Sequence, residues 1–301
     1  MKLAAPTCHF KTVKTQKEKI KHLYDAGFRN IDLTVYSIQA VEDIISDDWE
    51  SFVYDLGDYA EKLGVKFVQS HTSDIGLLTR TYGYDKAVEI TKRTINVCGM
   101  LGIPNTVVHS VVGDDKADFY AKNLPFYQSL YDTMEKNNVE VLIENNARSN
   151  IGDKYFVFSG ADVVELIESL SHPLIHACWD TGHANIHGNQ YDHIVTLGPH
   201  LHAIHLNDNR GHVDEHMIPY LGTFNLDEII NALIDIDYKG YFTFEADNSV
   251  MSGDAAWPHQ KIKFEKDTRL KEAPMFMRDE LEKLLYKIGK YALEAYGIFE
   301  E

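Results

Sequence analysis

Short apolar runs recur along the chain, separated by longer stretches whose apolar positions return at helical spacing. Residues 2–7, 28–34, 65–71, 105–109, 139–144, 173–180, 201–206 and 240–245 read as strands, each a brief apolar or alternating run. Between them, residues 15–27, 47–64, 84–102, 117–137, 162–169, 191–197 and 226–235 read as helices, the fourth despite Pro125. Residues 47–64 show the helical pattern well: Trp49, Phe52, Val53, Leu56, Tyr59, Ala60 and Leu63 fall on one face. A charged loop at 253–271 and an amphipathic helix at 274–296 close the chain. Eight strands alternating with helices argue for a closed parallel (β/α)8 TIM barrel in the α/β class. A doubly wound open sheet would want a Gly-rich first turn, and none follows residues 2–7. No solenoid repeat, low-complexity tract or linker interrupts residues 1–301, so a single domain is expected, with 253–271 as a lid loop.

The polar residues that break this pattern sit at matching places. Each strand from the third to the eighth ends on a side chain able to ligate a metal: His71, His109, Glu144, Asp180, His205 and Glu245. In a barrel of this kind those ends share one mouth, where the chemistry lies. Loops just beyond add His183 and the group Asp214, Glu215 and His216. Taken singly, a His after a strand is ordinarily structural, and Asp180 in the run Asp-Thr-Gly-His has the form of a cap for the next turn. One such residue per strand at one level is a different matter. Carboxylates crowded together repel and raise one another's pKa, and a divalent cation removes the conflict. With no Cys in the set, thiolate zinc is excluded, and a mixed carboxylate–imidazole shell suits manganese, magnesium, cobalt, iron or zinc. Glu144, Asp180, His205 and Glu245 would hold one ion with positions left open for substrate.

Composition narrows the partners. The formal net charge of -17 repels a phosphate backbone. The segment 36–48, read as a loop at the mouth, carries Glu42, Asp43, Asp47 and Asp48 and no Lys or Arg. Segments 72–85 and 146–158 are the other loops that would have to embrace DNA. The three cysteines, Cys8, Cys98 and Cys178, lie far apart in or beside apolar runs, as expected of buried thiols in a reducing cytoplasm. No run is long and apolar enough for a membrane span or a signal peptide core, so a cytoplasmic protein with no membrane partner is expected. Association into a homo-oligomer is left open.

The runs VLIENN at Val141, CWDTGHAN at Cys178, HAIHLND at His202, DEHMIPYLGTFN at Asp214 and FTFEA at Phe242 resemble the xylose-isomerase-like barrel superfamily. The resemblance spans residues 2–247. That group holds sugar epimerases and isomerases, inosose dehydratases and apurinic-site endonucleases of the endonuclease IV type. It implies that Glu144, Asp180, His205 and Glu245 bind a single divalent ion and that His183 contacts substrate. In the endonuclease branch, His71, His109, His183, Asp214 and His216 would complete a three-zinc cluster. The favoured expectation is an isomerase or epimerase of a sugar or sugar phosphate, working through a metal-stabilised enediolate with Glu144 and Glu245 as acid and base. The alternatives are an endonuclease IV-like phosphodiesterase, an inosose dehydratase-type lyase, and a metal-binding carrier or regulator without turnover. Nucleic acid is disfavoured by charge. Lys261, Lys263, Lys266, Arg269 and Lys271 form either a solvated face or a phosphate grip, with Lys263 and Arg269 singled out. Trp257 and Phe10 stand as candidates for an apolar wall against a sugar ring, or for packing.

Overall fold

The computed structural model describes residues 1–147, 154–246 and 273–301. Its strands are β1 (Leu3–Pro6), β2 (Asn30–Thr34), β3 (Lys66–His71), β4 (Asn105–Val107), β5 (Glu140–Glu144), β6 (Ile175–Asp180), β7 (Leu201–Leu206) and β8 (Phe242–Phe244). They pair in chain order, all parallel, and β8 returns to β1 to close the barrel. The helices are α1 (Gln16–Ala26), α2 (Ile38–Ile45), α3 (Trp49–Leu63), α4 (Ile75–Tyr82), α5 (Tyr84–Leu101), α6 (Lys116–Gln128) and α7 (Tyr131–Asn137). They continue as α8 (Gly160–Leu170), α9 (Thr181–Asn185), α10 (Gln190–Leu197), α11 (Leu226–Asp235) and α12 (Met275–Ala295). The lid segment 253–271, with Trp257, Lys263 and Arg269, lies outside the described residues.

Local chemistry sets the boundaries. Thr15 and Glu18 form a capping box at the start of α1, and Gly27 ends it at φ 118°. A side chain at Gly27 would also press on the Tyr286 ring of α12, 3.1 Å from where its Cβ would lie. The stretch 117–137 forms two helices rather than one. Pro125 removes one helical hydrogen bond, and the chain turns at Ser129 and the fully buried Leu130 before α7 begins. The segments 36–48 and 72–85 contain short helices where loops were expected. Ser37 accepts from the Ala40 amide to start α2, and Asp74 accepts from the Leu77 amide to start α4.

Two apolar layers result. The larger lies between the barrel and its helices, with Ile31, Val141, Ile143, Trp179 and Ile204 from the strands facing Leu23, Val53, Ile90, Val163 and Ile229. A smaller group, Val107, Leu142, Cys178 and Ala203, plugs the barrel interior. Side chains alternate along a strand, so the inward residues two positions beyond Leu142 and Cys178 are Glu144 and Asp180. With His205, two beyond Ala203, they form the polar floor of the mouth. Phe10 is buried in the turn after β1 and stacks on His22 at 4.8 Å, so it packs the core instead of walling a sugar site. Cys98 and Cys178 are buried, while Cys8 is half-buried, more open than its apolar neighbourhood suggested.

Candidate active site

Ligand atoms of Glu144, Asp180, His205 and Glu245 all lie within 4.8 Å of one another, as do those of His71, Glu144 and His205 and those of His183, Asp214 and His216. The three groups adjoin at one mouth. His205 Nδ1 lies 2.6 Å from Glu144 Oε1 and 3.1 Å from Glu245 Oε2. Glu144 Oε2 receives His109 Nε2 at 2.6 Å, with His71 Nε2 at 3.5 Å. Asp214 Oδ2 sits between His183 Nε2 at 3.2 Å and His216 Nε2 at 3.1 Å. His109 and Glu245 come from just beyond their strands, β4 and β8, which are shorter than the apolar pattern suggested.

The imidazoles are held in set tautomers. His71 Nδ1 donates to the Thr72 carbonyl at 2.7 Å, His183 Nδ1 to the Asn145 carbonyl at 2.8 Å, and His216 Nδ1 to the Glu245 carbonyl at 2.8 Å. A carbonyl can only accept, so each Nδ1 carries the proton and each Nε2 aims at a carboxylate. Metal-binding histidines are oriented in this way by outer partners. Asp74, at the start of α4, plays a similar part for His109, 3.6 Å from its Nδ1. Tyr36 packs edge-on against His71 and His109, at 5.5 and 6.2 Å between ring centres.

Asp180 does two things at once. Its Oδ1 accepts from the His183 amide at 2.6 Å, capping α9, while its Oδ2 accepts from Asn207 Nδ2 at 2.7 Å. Asn145 brackets the backbone of the same residue, accepting from the Asp180 amide and donating to the Asp180 carbonyl. Gly182 makes room for this: a Cβ there would lie 1.8 Å from Asn207 Oδ1. Asp32, Gln69, Asn145 and Asn207 were not singled out from sequence. Gln69 Nε2 lies 2.8 Å from both Asp32 Oδ2 and His205 Nε2, bracing the imidazole from below. Asn145 and Asn207 do stand in the family-like runs, one and two residues past Glu144 and His205, so their position was a usable signal. His9 is also unforeseen. Its Nε2 accepts from the amide of Ala246, next to Glu245, while Nδ1 contacts Glu282 of α12 at 3.0 Å.

Burial and charge oppose each other throughout. Burial disfavours the charged form of Glu144, yet His205, His109 and His71 prevail and hold it well below the usual carboxylate range. Glu245 follows the same balance: burial works against its charge, but chiefly His205 brings it down to about 2. For Asp180 burial wins, and despite His183 its pKa rises to about 6. Burial also resists charge on His109 and His183, yet Asp74 and Glu144 push the first up to about 10, and Asp180 and Asp214 the second. His205 is raised well above its usual value, burial being outweighed by Cys178, Glu245 and Glu144. Four carboxylates in one dry mouth need compensating positive charge. Protonated histidines supply it in the protein alone, and a divalent cation would supply it with the imidazoles neutral. The donor set, its burial and its fixed tautomers therefore fit a metal.

A model of the xylose isomerase-like TIM barrel family matches residues 20–279. The chain belongs to that family. Among curated proteins it is 28% identical over 167 residues to an uncharacterised protein of Sinorhizobium fredii, covering 52% of each chain. The chain spans about half the length, or less, of the curated relatives it matches. A crystal structure of D-psicose 3-epimerase in the presence of D-fructose superposes with a TM-score of 0.75 at 19% identity, over 97% of this chain and 99% of that one. The IOLI protein with a bound zinc atom superposes at 0.71 with 14% identity, over 98% and 99%. At these identities the likeness carries the fold, which this chain shares with structures of sugar 3-epimerases. Among the described residues, no helix is long and apolar enough to cross a membrane.

Proposed function

We propose that this protein is a divalent-metal-dependent isomerase or epimerase of a sugar or sugar phosphate. The observation that carries the reading is the meeting of Glu144 and Glu245, from separate strands, on one nitrogen of His205 with Asp180 alongside. Glu144, Asp180, His205 and Glu245 would hold the ion. When bound, the ion polarises a substrate carbonyl and lowers the cost of the negative charge that develops beside it. Glu144 and Glu245 can then divide the proton work: one carboxylate takes a proton from the carbon next to the carbonyl, and the other returns one. Return to the opposite face of that carbon gives epimerisation; return to the neighbouring carbon gives isomerisation. His183, its ring fixed by the Asn145 carbonyl, would orient a substrate hydroxyl. The apolar plug of Val107, Leu142, Cys178 and Ala203 lies beneath the mouth and separates it from the lower end of the barrel.

The test is incubation of the manganese-loaded protein with ketoses, ketose phosphates and inososes in deuterated water. Deuterium should enter the carbon beside the carbonyl of at least one of them. No exchange into any member of the panel would overturn the reading. Dehydration of a keto-inositol shares the first proton transfer and would show as loss of water after exchange.

A specific observation favours a second reading. The groups His183–Asp214–His216 and His71–Glu144–His205, the latter with His109 against Glu144, adjoin the four-ligand group, a layout able to hold three ions for phosphodiester hydrolysis. The acidic face argues the other way: Glu42 and Asp43 lie on α2, where a DNA backbone would need cations. Three zinc ions in the mouth together with cleavage of an abasic oligonucleotide would establish this reading instead.

A further inference from the structure

The strands that lift Glu144, Asp180 and His205 to the mouth carry a like set at their other ends. Glu140 opens β5, His176 is second in β6 and His202 is second in β7. Glu140 and Glu144 are four apart, as are His176 and Asp180, so within each strand both point to the barrel interior. His202 would break the alternation, being one residue before the inward Ala203. A bulge corrects it. Ala177 pairs with Leu201 and Cys178 with Ala203, so β7 carries one extra residue there. Such an extra residue re-aims a side chain, and here it brings His202 round beneath the plug. The interior thus has three levels along β5 to β7: an acid and imidazoles, then the apolar plug, then acids and imidazole again.

At the lower level the three side chains meet. The His176 and His202 rings stack with centres 3.7 Å apart and planes 15° from parallel. His202 Nδ1 lies 2.8 Å from Glu140 Oε2, and a ligand atom of each residue lies within 4.8 Å of the other two. His176 Nε2 donates to the Pro173 carbonyl at 3.1 Å, which fixes the tautomer and leaves Nδ1 with its lone pair. That Nδ1 is buried and has no hydrogen-bond partner. A tethered imidazole presenting a bare nitrogen to a second imidazole and a carboxylate is the arrangement that ligates an ion. Solvent reaches it, since His202 and Glu140 keep 31% and 26% of their side-chain surface exposed.

We propose that Glu140, His176 and His202 form a second divalent-metal site, at the N-terminal end of the barrel and remote from the mouth. Two imidazoles and one carboxylate suit zinc or a neighbouring transition ion, with the remaining positions filled by water. Binding shifts the His202 proton from Nδ1 to Nε2, so the ring stays neutral, and the ion replaces the contact of Nδ1 with Glu140. The site ties together the lower ends of the strands that carry Glu144, Asp180 and His205, so the ion acts as a clamp on the barrel. It stands independently of the sugar reading.

The test is the zinc content per chain of the full-length protein after equilibration with micromolar Zn2+ and gel filtration, compared with His202→Ala and Glu140→Gln. Each variant should carry one zinc fewer, lose part of the zinc-dependent rise in melting temperature, and keep the ions of the mouth. Unchanged zinc content in a folded variant would overturn the proposal. Should His202→Ala fail to fold, Glu140→Gln, which keeps the volume and a hydrogen bond to His202, decides by the same count.

Discussion

The smallest unit of this site is a carboxylate with two or three imidazoles around it. Glu144 is the most heavily used, touching His205, His109 and His71. Glu144→Gln removes both an acid–base group and an anionic ligand. It is expected to lower proton exchange by roughly 10²–10⁴-fold and to reduce metal retention, as read by deuterium incorporation and by metal analysis of the same sample. Near wild-type exchange would remove Glu144 from the chemistry. The residue types at the strand ends were legible in the sequence because each follows an apolar run. What orients them was not. The carbonyls of Thr72, Asn145 and Glu245 that fix three imidazoles are backbone atoms and leave no mark on side-chain pattern. Asp32 and Gln69 read as ordinary strand positions until β2 and β3 bring them under His205.

Among the elements, the short helix α9 has the least freedom. It starts on Asp180, and its second residue must lack a side chain because Asn207 occupies that space. Gly182→Ala would drive Asn207 away from Asp180, with an expected loss of about 1–3 kcal/mol in urea unfolding and weaker metal binding. Unchanged stability together with unchanged metal binding would mean that α9 shifts freely. The longer elements were read well from periodicity: β7 and α11 coincide with their expected bounds, and α1 and α3 fall within a residue or two of theirs. The misses have physical causes. α2 and α4 are two-turn helices defined by caps at Ser37 and Asp74 rather than by a long apolar period. α6 and α7 share one apolar face, so periodicity ran through the turn at Ser129 that separates them.

For the whole molecule, the mouth couples charge to stability. Stripping divalent ions by chelation should lower the melting temperature, since an ion bound only by the folded state adds to its stability; an unchanged transition would argue that no ion is held. In the stripped protein His109 and His183 titrate at about 10 against an ordinary 6.5. Their contribution to stability is complete below about pH 6.5 and is lost as pH rises through about 10. The melting temperature of the metal-free protein should therefore fall across that window, and fall less when the ion is present and the imidazoles are already neutral. A flat or rising profile for the stripped protein would contradict the charge balance described for the mouth.

One measurement bears on the central claim without relying on a substrate: anomalous diffraction at the manganese edge from crystals of the manganese-loaded protein. The expected result is a peak within coordination distance of Glu144, Asp180, His205 and Glu245 together. A mouth without such a peak, in protein shown by metal analysis to have been exposed to and to retain manganese, would contradict the claim that these residues gather on one ion.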